Sequence, residues 1–266
     1  MKISNLLKED KVTLSFEVFP PKTSSTYESV AQATQEIAAL RPDFMSVTYG
    51  AGGGTSEHTV HIASDLQKKY GVTVLTHLTC VSSTKEHVAT MLEKFRQQGI
   101  ENVLALVRDI KAQGDFCVGG ACYPEGHTEA ANKNEDILHL KEKVDAGCEF
   151  LTTQMFFDNN ILYNFLYRIR EKGITVPVIA GIMPVTNVKQ IKRITSMSGT
   201  YLPERFKAIV DRFGDNPAAM KQAGVIYATE QIIDLIANGG NHIHVYSMNK
   251  PEVAAGIQAS LSEILG

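Results

Sequence analysis

The sequence predicts an α/β protein of the (β/α)8 TIM barrel type, and three observations support this prediction. Strand-like and helix-like segments alternate eight times with short turns between them, which is typical of parallel strands closed into a barrel. Polar residues recur where the predicted strands end, the place at which barrel enzymes carry their active sites. The length of 266 residues is close to that of one such barrel. We therefore expect a single barrel domain over residues 1–266.

The amino-terminal half supplies the first four strands. A short helix over residues 5–10 should cover the barrel floor. Pro20 and Pro21 end the first strand, because proline cannot donate to a sheet ladder. Ser24 or Ser25 can cap the next helix. The predicted strands span residues 13–19, 44–48, 72–79 and 102–106, and the helices 24–40, 58–70 and 84–98.

The carboxyl-terminal half supplies the other four strands. Met183 and Pro184 stop strand seven, and a break near residues 214–217 divides a long helical stretch. The predicted strands span residues 116–122, 150–153, 176–182 and 242–246. The predicted helices span 135–146, 159–172, 187–195, 204–238 and 253–265.

The connection between strands four and five is unusually short. Residues 107–115 join Leu106 to Phe116, whereas a parallel crossover needs about a dozen or more residues. Residues 107–111 have the composition of a helix end whose beginning is absent. Two alternatives stay open: a genuine deletion, or a natural polypeptide with on the order of 15–30 further residues between Leu106 and Val107. The second is favoured.

Composition and charge exclude several classes of function. The net charge is −3 without a run of like charges, which argues against a nucleic-acid groove or an anionic membrane surface. We find neither a signal-peptide core nor an apolar run of about 18 residues. The cysteines show no CxxC spacing or nearby histidine pair, so we expect no metal site, and we expect small core thiols in a cytoplasmic protein: Cys80, Cys117, Cys122 and Cys148.

The predicted strand ends bring polar groups to one rim. Glu17 stands in an apolar strand, where a carboxylate is costly unless it is paired, protonated or used. A glutamate at a strand end is as readily a solvated residue, and a lone strand histidine is more often structural. Several such residues on one rim favour a functional site, namely Glu17, Thr48, His77, residues 123–127, Gln154 and residues 246–250. Glycines at 50–54 would let a ligand approach the backbone, but they lack the GxGxxG order of a Rossmann site.

Ordered motifs along nearly the whole chain resemble one family. They are Phe16-Glu17-Val18-Phe19-Pro20-Pro21, Ser46-Val47-Thr48-Tyr49-Gly50-Ala51, His77-Leu78-Thr79-Cys80, Ala121-Cys122-Tyr123-Pro124-Glu125-Gly126-His127, Leu140-Lys141-Glu142-Lys143-Val144-Asp145-Ala146-Gly147, Thr153-Gln154-Met155-Phe156-Phe157-Asp158 and Gly181-Ile182-Met183-Pro184-Val185. This set resembles the methylenetetrahydrofolate reductases of the bacterial single-domain type.

The resemblance implies an FAD enzyme that takes hydride from NADH or NADPH and reduces 5,10-methylenetetrahydrofolate to 5-methyltetrahydrofolate, in one-carbon metabolism and methionine biosynthesis. Glu17 would be the general acid that opens the five-membered ring of the folate to an iminium, and desolvation at an apolar strand end would help it hold its proton. The substrate-binding residues would be Gln154, which holds the pterin, with Gln190 and Lys250. The FAD-binding residues would be Thr48, Tyr49, Ala51, His77, Ala121, Tyr123, His127, Asp136 and Lys143.

The chain also departs from the family pattern. The family carries an Arg-Gly-Asp after strand four and a Tyr-Ala-Ser-Asp helix start, and both would fall at the short connection after Leu106. His139 stands where an asparagine is common, and Glu142 where an arginine can occur. Ile194 replaces an aromatic residue that stacks on the nicotinamide cofactor in some members, and Lys250 stands where an arginine can meet the folate tail.

Two other readings compete with the reductase. A barrel aldolase or phosphate-binding epimerase would need a glycine-rich phosphate loop after strands seven and eight, and Met183-Pro184-Val185 lacks one after strand seven. A catalytically degenerate folate- or flavin-binding barrel would explain the short connection. The sequence leaves open the choice between NADH and NADPH and the oligomeric state, with a homo-oligomer among the alternatives.

Overall fold

A computed structural model describes residues 1–8, 10–21, 23–49, 56–79, 84–105 and 110–266, and side chains within these ranges except those of Ser24, Ser56 and Met197. Eight parallel strands close into a barrel in which each strand pairs with the next along the chain and β8 pairs with β1. The predicted fold class is confirmed. Since all strands run the same way, their carboxyl ends form one rim.

The strands lie close to their predicted positions. They are β1 (Thr13–Val18), β2 (Phe44–Val47), β3 (Val74–His77), β4 (Asn102–Leu104), β5 (Cys117–Cys122), β6 (Phe150–Thr153), β7 (Val178–Ile182) and β8 (His242–Tyr246). Most strand residues are buried, as expected where a central parallel barrel is covered by helices.

The described helices surround the barrel. They are α1 (Ile3–Leu6), α2 (Tyr27–Ala38), α3 (Ser56–Lys69), α4 (Lys85–Gln97), α5 (Lys133–Asp145), α6 (Asn159–Glu171), α7 (Val188–Ser198), α8 (Glu204–Phe213), α9 (Pro217–Ala237), α10 (Pro251–Ser260) and α11 (Ser262–Leu265). One capping prediction is wrong: α2 starts at Tyr27 after a 3₁₀ turn over Ser24–Thr26, and the Thr26 side chain makes no cap hydrogen bond. The expected break after Phe213 separates α8 from α9, and the Asn216 side chain caps α9.

The barrel floor is closed by α1. Its Ile3 and Leu6 belong to an apolar cluster with residues from the amino-terminal parts of several strands: Phe44, Leu75, Cys117, Phe150 and Ile179. A short helix covers the barrel floor as expected, but it spans Ile3–Leu6 rather than the predicted residues 5–10. The ring of Phe44 stacks on His244, with 5.7 Å between ring centroids. An apolar lower layer therefore supports a polar layer nearer the rim.

The cysteines within the described ranges are core residues. Cys117, Cys122 and Cys148 are free and buried, and Cys80 lies outside the described residues. Burial raises the pKa of the Cys148 thiol to about 12 and raises that of Cys122 further. These thiols are therefore held in their unreactive, protonated form.

The short connection between β4 and β5 is compatible with barrel closure. Residues 105–116 join the two strands, which pair directly in parallel from Asn102 with Cys117 to Leu104 with Gly119. The described residues Ile110 and Lys111 have helical backbone, while 106–109 lie outside the described ranges. Lys111 Nζ donates to Phe116 O at 2.9 Å and to Glu149 Oε1, so the later part of this connection is tied to the start of β5.

Candidate active site at the carboxyl rim

Glu17 is a nearly buried carboxyl group inside the barrel rim. Its residue exposure is 4%, and it follows Phe16 on β1. Glu17 Oε2 lies 3.4 Å from His77 Nε2 on β3 and 3.3 Å from the Ser46 hydroxyl on β2. Burial lowers the pKa of His77, although the Glu17 carboxylate opposes that shift. His77 is therefore neutral near pH 7 and does not provide a positive charge next to Glu17.

A buried polar chain below Glu17 was not predicted from the sequence. Ser46 Oγ lies 3.0 Å from His244 Nε2, and Ser15 Oγ lies 2.7 Å from His244 Nδ1. Ser15 Oγ also donates to Ile243 O at 2.9 Å. Two sequence features could have indicated this chain. Polar residues occur within apolar strands, and the two-residue spacing from Ser15 to Glu17 puts both side chains on one face of β1.

A large cavity opens at the same rim, although Glu17, His77 and Ser46 are not among its lining residues. Its volume is about 740 Å³, within the usual range for small-molecule sites. Residues from several rim loops line it, including four predicted site residues: Tyr123, His127, Gln154 and Gln190. Phe19, two residues after Glu17, lines the same cavity. The other predicted site residues within the described ranges are not part of its lining.

Glu125 is a second carboxyl group of the site, and it lines this cavity. It lies within the predicted rim segment 123–127, but no role of its own was predicted for it. Its Oε2 accepts from Tyr201 N at 2.9 Å, while its buried Oε1 has no hydrogen-bond partner among the described residues. Burial raises the pKa of Glu125. A ligand donor at Oε1 would satisfy this atom. The signal in the sequence was a carboxylate inside the loop after strand five.

Several predicted FAD-binding residues lie together on the loop after β5 and on helix α5. The rings of Tyr123 and His127 meet edge to face at 4.5 Å. His127 N donates to Asp136 Oδ2 at 3.2 Å, and His127 Nδ1 accepts from Glu129 N at 3.2 Å. In neutral His127 the ring proton is therefore on Nε2, which is left as a donor. Lys143 Nζ donates to Ala121 O at 3.3 Å, which places a positive charge at this end of β5.

Of the three predicted substrate-binding residues, Gln190 and Lys250 lie together, and Gln154 has separate contacts. Gln190 Oε1 accepts from Thr186 N at 3.1 Å, and Lys250 Nζ donates to Thr186 Oγ1 at 2.5 Å, so Gln190 and Lys250 meet at Thr186. Gln154 Oε1 accepts from Met155 N at 3.0 Å. Among the described residues, Gln154 Nε2 makes no hydrogen bond, and it is free to donate to a ligand in the cavity that Gln154 lines.

The predicted FAD-binding residues after β2, Thr48 and Tyr49, do not line the cavity. Thr48 continues the pairing of β1 and β2, since its N donates to Val18 O at 3.0 Å. The Tyr49 hydroxyl is 2.9 Å from His87 Nε2 on α4, and the residue is only 9% exposed, so its ring packs into the core. Ala51 and the glycines at 50 and 52–54 lie outside the described residues.

Comparisons with known proteins decide the family. The model of the methylenetetrahydrofolate reductase family matches residues 2–110 and 105–262. The chain belongs to the methylenetetrahydrofolate reductase family. The resemblance seen in the motifs is thereby confirmed.

The chain is similar in sequence to reductases of this family, and two of them serve as examples. The chain is 32% identical to 5,10-methylenetetrahydrofolate reductase of Escherichia coli, over 94% of this chain and 90% of that protein. It is 33% identical to methylenetetrahydrofolate reductase (NADH) 1 of Zea mays, over 99% of this chain and 50% of that protein. The chain thus spans about half the length of the plant reductases. The two segments matched by the family model meet at residues 105–110, within the short β4–β5 connection.

Solved structures show the same fold at low sequence identity. A protein from Clostridium thermocellum, described as binding two copies of 5-methyl-5,6,7,8-tetrahydrofolic acid, has a TM-score of 0.74 at 14% identity and covers 99% of both chains. Dihydropteroate synthase from Xanthomonas albilineans in complex with 7,8-dihydropteroate has a TM-score of 0.54 at 17% identity, covering 94% of this chain and 93% of that one. At these identities the likeness supports the barrel fold alone.

No helix among the described residues is both long and apolar enough to cross a membrane. Within the same residues, no three His, Cys, Asp or Glu side chains are grouped so that they could hold a metal ion.

Proposed function

We propose that this chain reduces 5,10-methylenetetrahydrofolate to 5-methyltetrahydrofolate, with FAD as its cofactor and NADH or NADPH as hydride donor. The observation that carries the proposal is the buried Glu17 carboxyl beside the neutral His77, at the barrel rim that also carries the cavity of about 740 Å³, in a member of this family. The proposal includes a one-domain, cytoplasmic enzyme.

Glu17 would act as the general acid. Protonation of the methylene-bridged folate opens its five-membered ring and leaves an iminium that can accept hydride. Glu17 suits this step by its position, because the residue is 4% exposed at the carboxyl end of β1, where barrel enzymes carry their active sites. The described contacts of Glu17 engage Oε2, and Oε1 is left for the substrate.

Gln154 would hold the pterin ring, and Lys250 with Gln190 the remainder of the folate. A pterin presents adjacent donors and acceptors, which match an amide side chain. The Lys250 ammonium suits a carboxylate, and its contact with Thr186 holds it near Gln190. Gln154 follows β6, Gln190 lies on α7 after β7, and Lys250 lies in the loop after β8. Because β6, β7 and β8 are adjacent strands, the three residues can share one extended ligand.

The residues at β5 and α5 fit FAD by their chemistry. Lys143 provides a positive charge for the diphosphate, Tyr123 and His127 provide aromatic surface, and His127 Nε2 provides a donor. The described part of this set also includes Thr48, Tyr49, His77, Ala121 and Asp136. FAD, when bound, supplies hydride transfer between the nicotinamide and the folate.

A catalytically degenerate folate- or flavin-binding barrel is the second candidate. It is favoured by one observation: the short β4–β5 connection falls where the family carries an acidic residue near the flavin and where the family match divides. It predicts folate or flavin binding without turnover.

A spectrum and a turnover assay distinguish the two. We expect the purified protein to show flavin absorbance and to oxidise NADH or NADPH only when methylenetetrahydrofolate is present under anaerobic conditions. Flavin or folate binding without turnover would support the degenerate barrel. Absence of flavin, of folate binding and of turnover would contradict both.

A further inference from the structure

The loop after β8, residues 247–250, continues the hydrogen bonding along β1 after the two strands separate. The parallel pairing of β1 with β8 ends at Glu17. Beyond that point the Ser247 hydroxyl donates to Glu17 O at 2.6 Å. Asn249 Nδ2 donates to Phe19 O at 2.9 Å, and Asn249 Oδ1 accepts from Phe19 N at 2.8 Å. Two side chains of the loop therefore take the place of a neighbouring strand at the end of β1.

The contact between Asn249 and Phe19 has the pattern of two paired peptide groups. A side-chain amide offers both a donor and an acceptor, and here both are used on the backbone of one residue. A residue whose N–H and C=O face the same neighbour is extended, as in a sheet ladder. Since side chains two residues apart in an extended chain lie on one face, Phe19 is held on the face of Glu17. Phe19 lines the cavity, so Asn249 fixes the part of the cavity wall that follows Glu17 in the chain.

The loop reaches this contact through an uncommon backbone conformation. Among the described residues other than glycine, only Arg41, Met248 and Asn249 have a positive φ. Met248 and Asn249 are consecutive, and their φ angles of 55° and 54° lie in the left-handed region. Such residues persist where the surrounding contacts hold them, and they are concentrated at functional sites. Here the two hydrogen bonds of Asn249 and the turn bond from Lys250 N to Ser247 O, at 3.0 Å, hold the loop.

We propose that Asn249 is a positioning residue for folate reduction, which acts through Phe19 and sets one wall of the substrate cavity. The inference rests on the proposed function for the identity of the substrate. Met248 lines the same cavity, and Lys250, assigned above to a carboxylate of the folate, follows Asn249 directly. The loop thus joins residues on the folate side of the site to the strand that carries Glu17. The residues proposed for FAD lie on β2, β3, β5 and α5 or in the loops after these strands, so Asn249 should affect the folate step much more than the reduction of the flavin.

Asn249→Gly removes the contact without opposing the turn. Glycine adopts a positive φ freely, so the left-handed backbone is kept while both hydrogen bonds to Phe19 are lost. Arg41→Gly, in the exposed connection between α2 and β2, is the control for a glycine at a left-handed residue. Gln258→Ala on α10 is the control for the loss of an amide contact. Gln258 Nε2 donates to Leu40 O at 2.8 Å, and Gln258 does not line the cavity.

Hydrogen exchange of the Phe19 amide, followed by nuclear magnetic resonance before any folate is added, tests the contact itself. We expect slow exchange in the wild type and in both controls. In Asn249→Gly the exchange should be about tenfold faster, as for the loss of a hydrogen bond. Fast exchange of the Phe19 amide in the wild type, or an unchanged rate in Asn249→Gly, would overturn the proposal even if the enzyme reduces folate.

Rapid mixing of the reduced enzyme with methylenetetrahydrofolate tests the functional role. In Asn249→Gly the reoxidation of the flavin by folate should slow about 10- to 100-fold, because a small misplacement of a bound substrate can cost that much, while flavin reduction by NADH keeps its rate. Equal losses in both half-reactions, or a loss that Gln258→Ala shares, would indicate a structural role and contradict the proposal. Unaltered half-reactions in Asn249→Gly would contradict it as well, with the proposed function intact. A wild type that does not reduce folate would contradict the proposed function, and the role of Asn249 in it would fall too.

Discussion

Glu17 Oε2 and His77 Nε2 lie 3.4 Å apart where β1 and β3 reach the rim. The contact joins an acid to a histidine whose pKa is lowered by burial, with only partial compensation from the Glu17 carboxylate. Because His77 is neutral near pH 7, the pair is a close polar contact rather than a full ion pair. Protonation of His77 is disfavoured in the folded protein, and this has a measurable consequence for stability.

Stability should fall as His77 becomes protonated. The folded-state pKa of His77 lies below that of the unfolded chain, so the folded protein binds fewer protons in the interval between them. The stability linked to neutral His77 is present above about pH 6.5 and is lost as the pH falls below that value. Urea unfolding at about pH 7 and about pH 5.5 should show a larger loss for the wild type than for His77→Gln.

The exposed His61 on α3 provides the control. His61→Gln should lose as much stability as the wild type over the same pH interval. Equal losses in the wild type and in His77→Gln would show that His77 is not responsible for the effect.

Gln154→Ala should weaken folate binding by about 10- to 100-fold, because the loss of one buried hydrogen-bond partner costs roughly 1–3 kcal/mol. Reduction of the flavin by NADH should keep its rate, since Gln154 is assigned to the pterin. Titration with 5-methyltetrahydrofolate and stopped-flow flavin reduction measure the two effects. An unchanged folate affinity would give Gln154 a structural role only.

Glu142→Arg should strengthen FAD binding by about two- to fivefold at low salt, in line with up to about 1 kcal/mol for an exposed charge contact. Glu142 is exposed on α5, next to Lys143, and its negative charge repels a diphosphate there. The quenching of flavin fluorescence on binding measures the affinity. The control is Glu263→Arg on α11, which makes the same charge change at a residue distant in sequence and should leave the affinity for FAD unaltered. An equal gain in FAD affinity in both variants would indicate a general effect of net charge.

Gly224→Ala should destabilise the protein by about 3 kcal/mol, at the upper end of the usual cost of overpacking. A Cβ at Gly224 on α9 would lie 1.7 Å from Val185 O, a backbone atom just after β7. At Gly256 on α10 the nearest atom to such a Cβ is Val225 Cγ1 at 3.7 Å. Gly256→Ala should therefore be neutral or stabilising by up to about 1 kcal/mol, and thermal unfolding compares the pair.

The barrel could be predicted because its signals are local. Short apolar runs between helical segments marked the strands, and β6 and β8 were placed at their observed bounds, Phe150–Thr153 and His242–Tyr246. The start of α2 could not be placed from Ser24 or Ser25, because the chain enters this helix through a 3₁₀ turn without a side-chain cap. Tyr49 was assigned to the cofactor from its motif, and this assignment stays a prediction. The contact of its hydroxyl with His87 on α4 joins residues 38 positions apart and was not predicted.

The polar chain beneath Glu17 was beyond the reach of the sequence. Ser15 and His244 are 229 residues apart and Ser46 and His244 are 198 apart, and they meet only because β8 closes the barrel against β1. Glu17 itself was accessible, because a carboxylate in an apolar strand is unusual wherever it is placed. Sequence could thus identify Glu17 as the candidate acid, whereas only the closed barrel reveals the polar groups packed beneath it.

The central claim is that Glu17 is the general acid, and Glu17→Gln tests it most directly. The amide is nearly isosteric, so the variant should fold and should bind FAD and be reduced by NADH like the wild type. It should not pass hydride to methylenetetrahydrofolate, because the amide has no acidic proton to deliver. Rapid-mixing measurements of the two half-reactions decide the matter. Loss of flavin reoxidation by folate with intact flavin reduction is the predicted result, and reoxidation at a near wild-type rate would contradict the account.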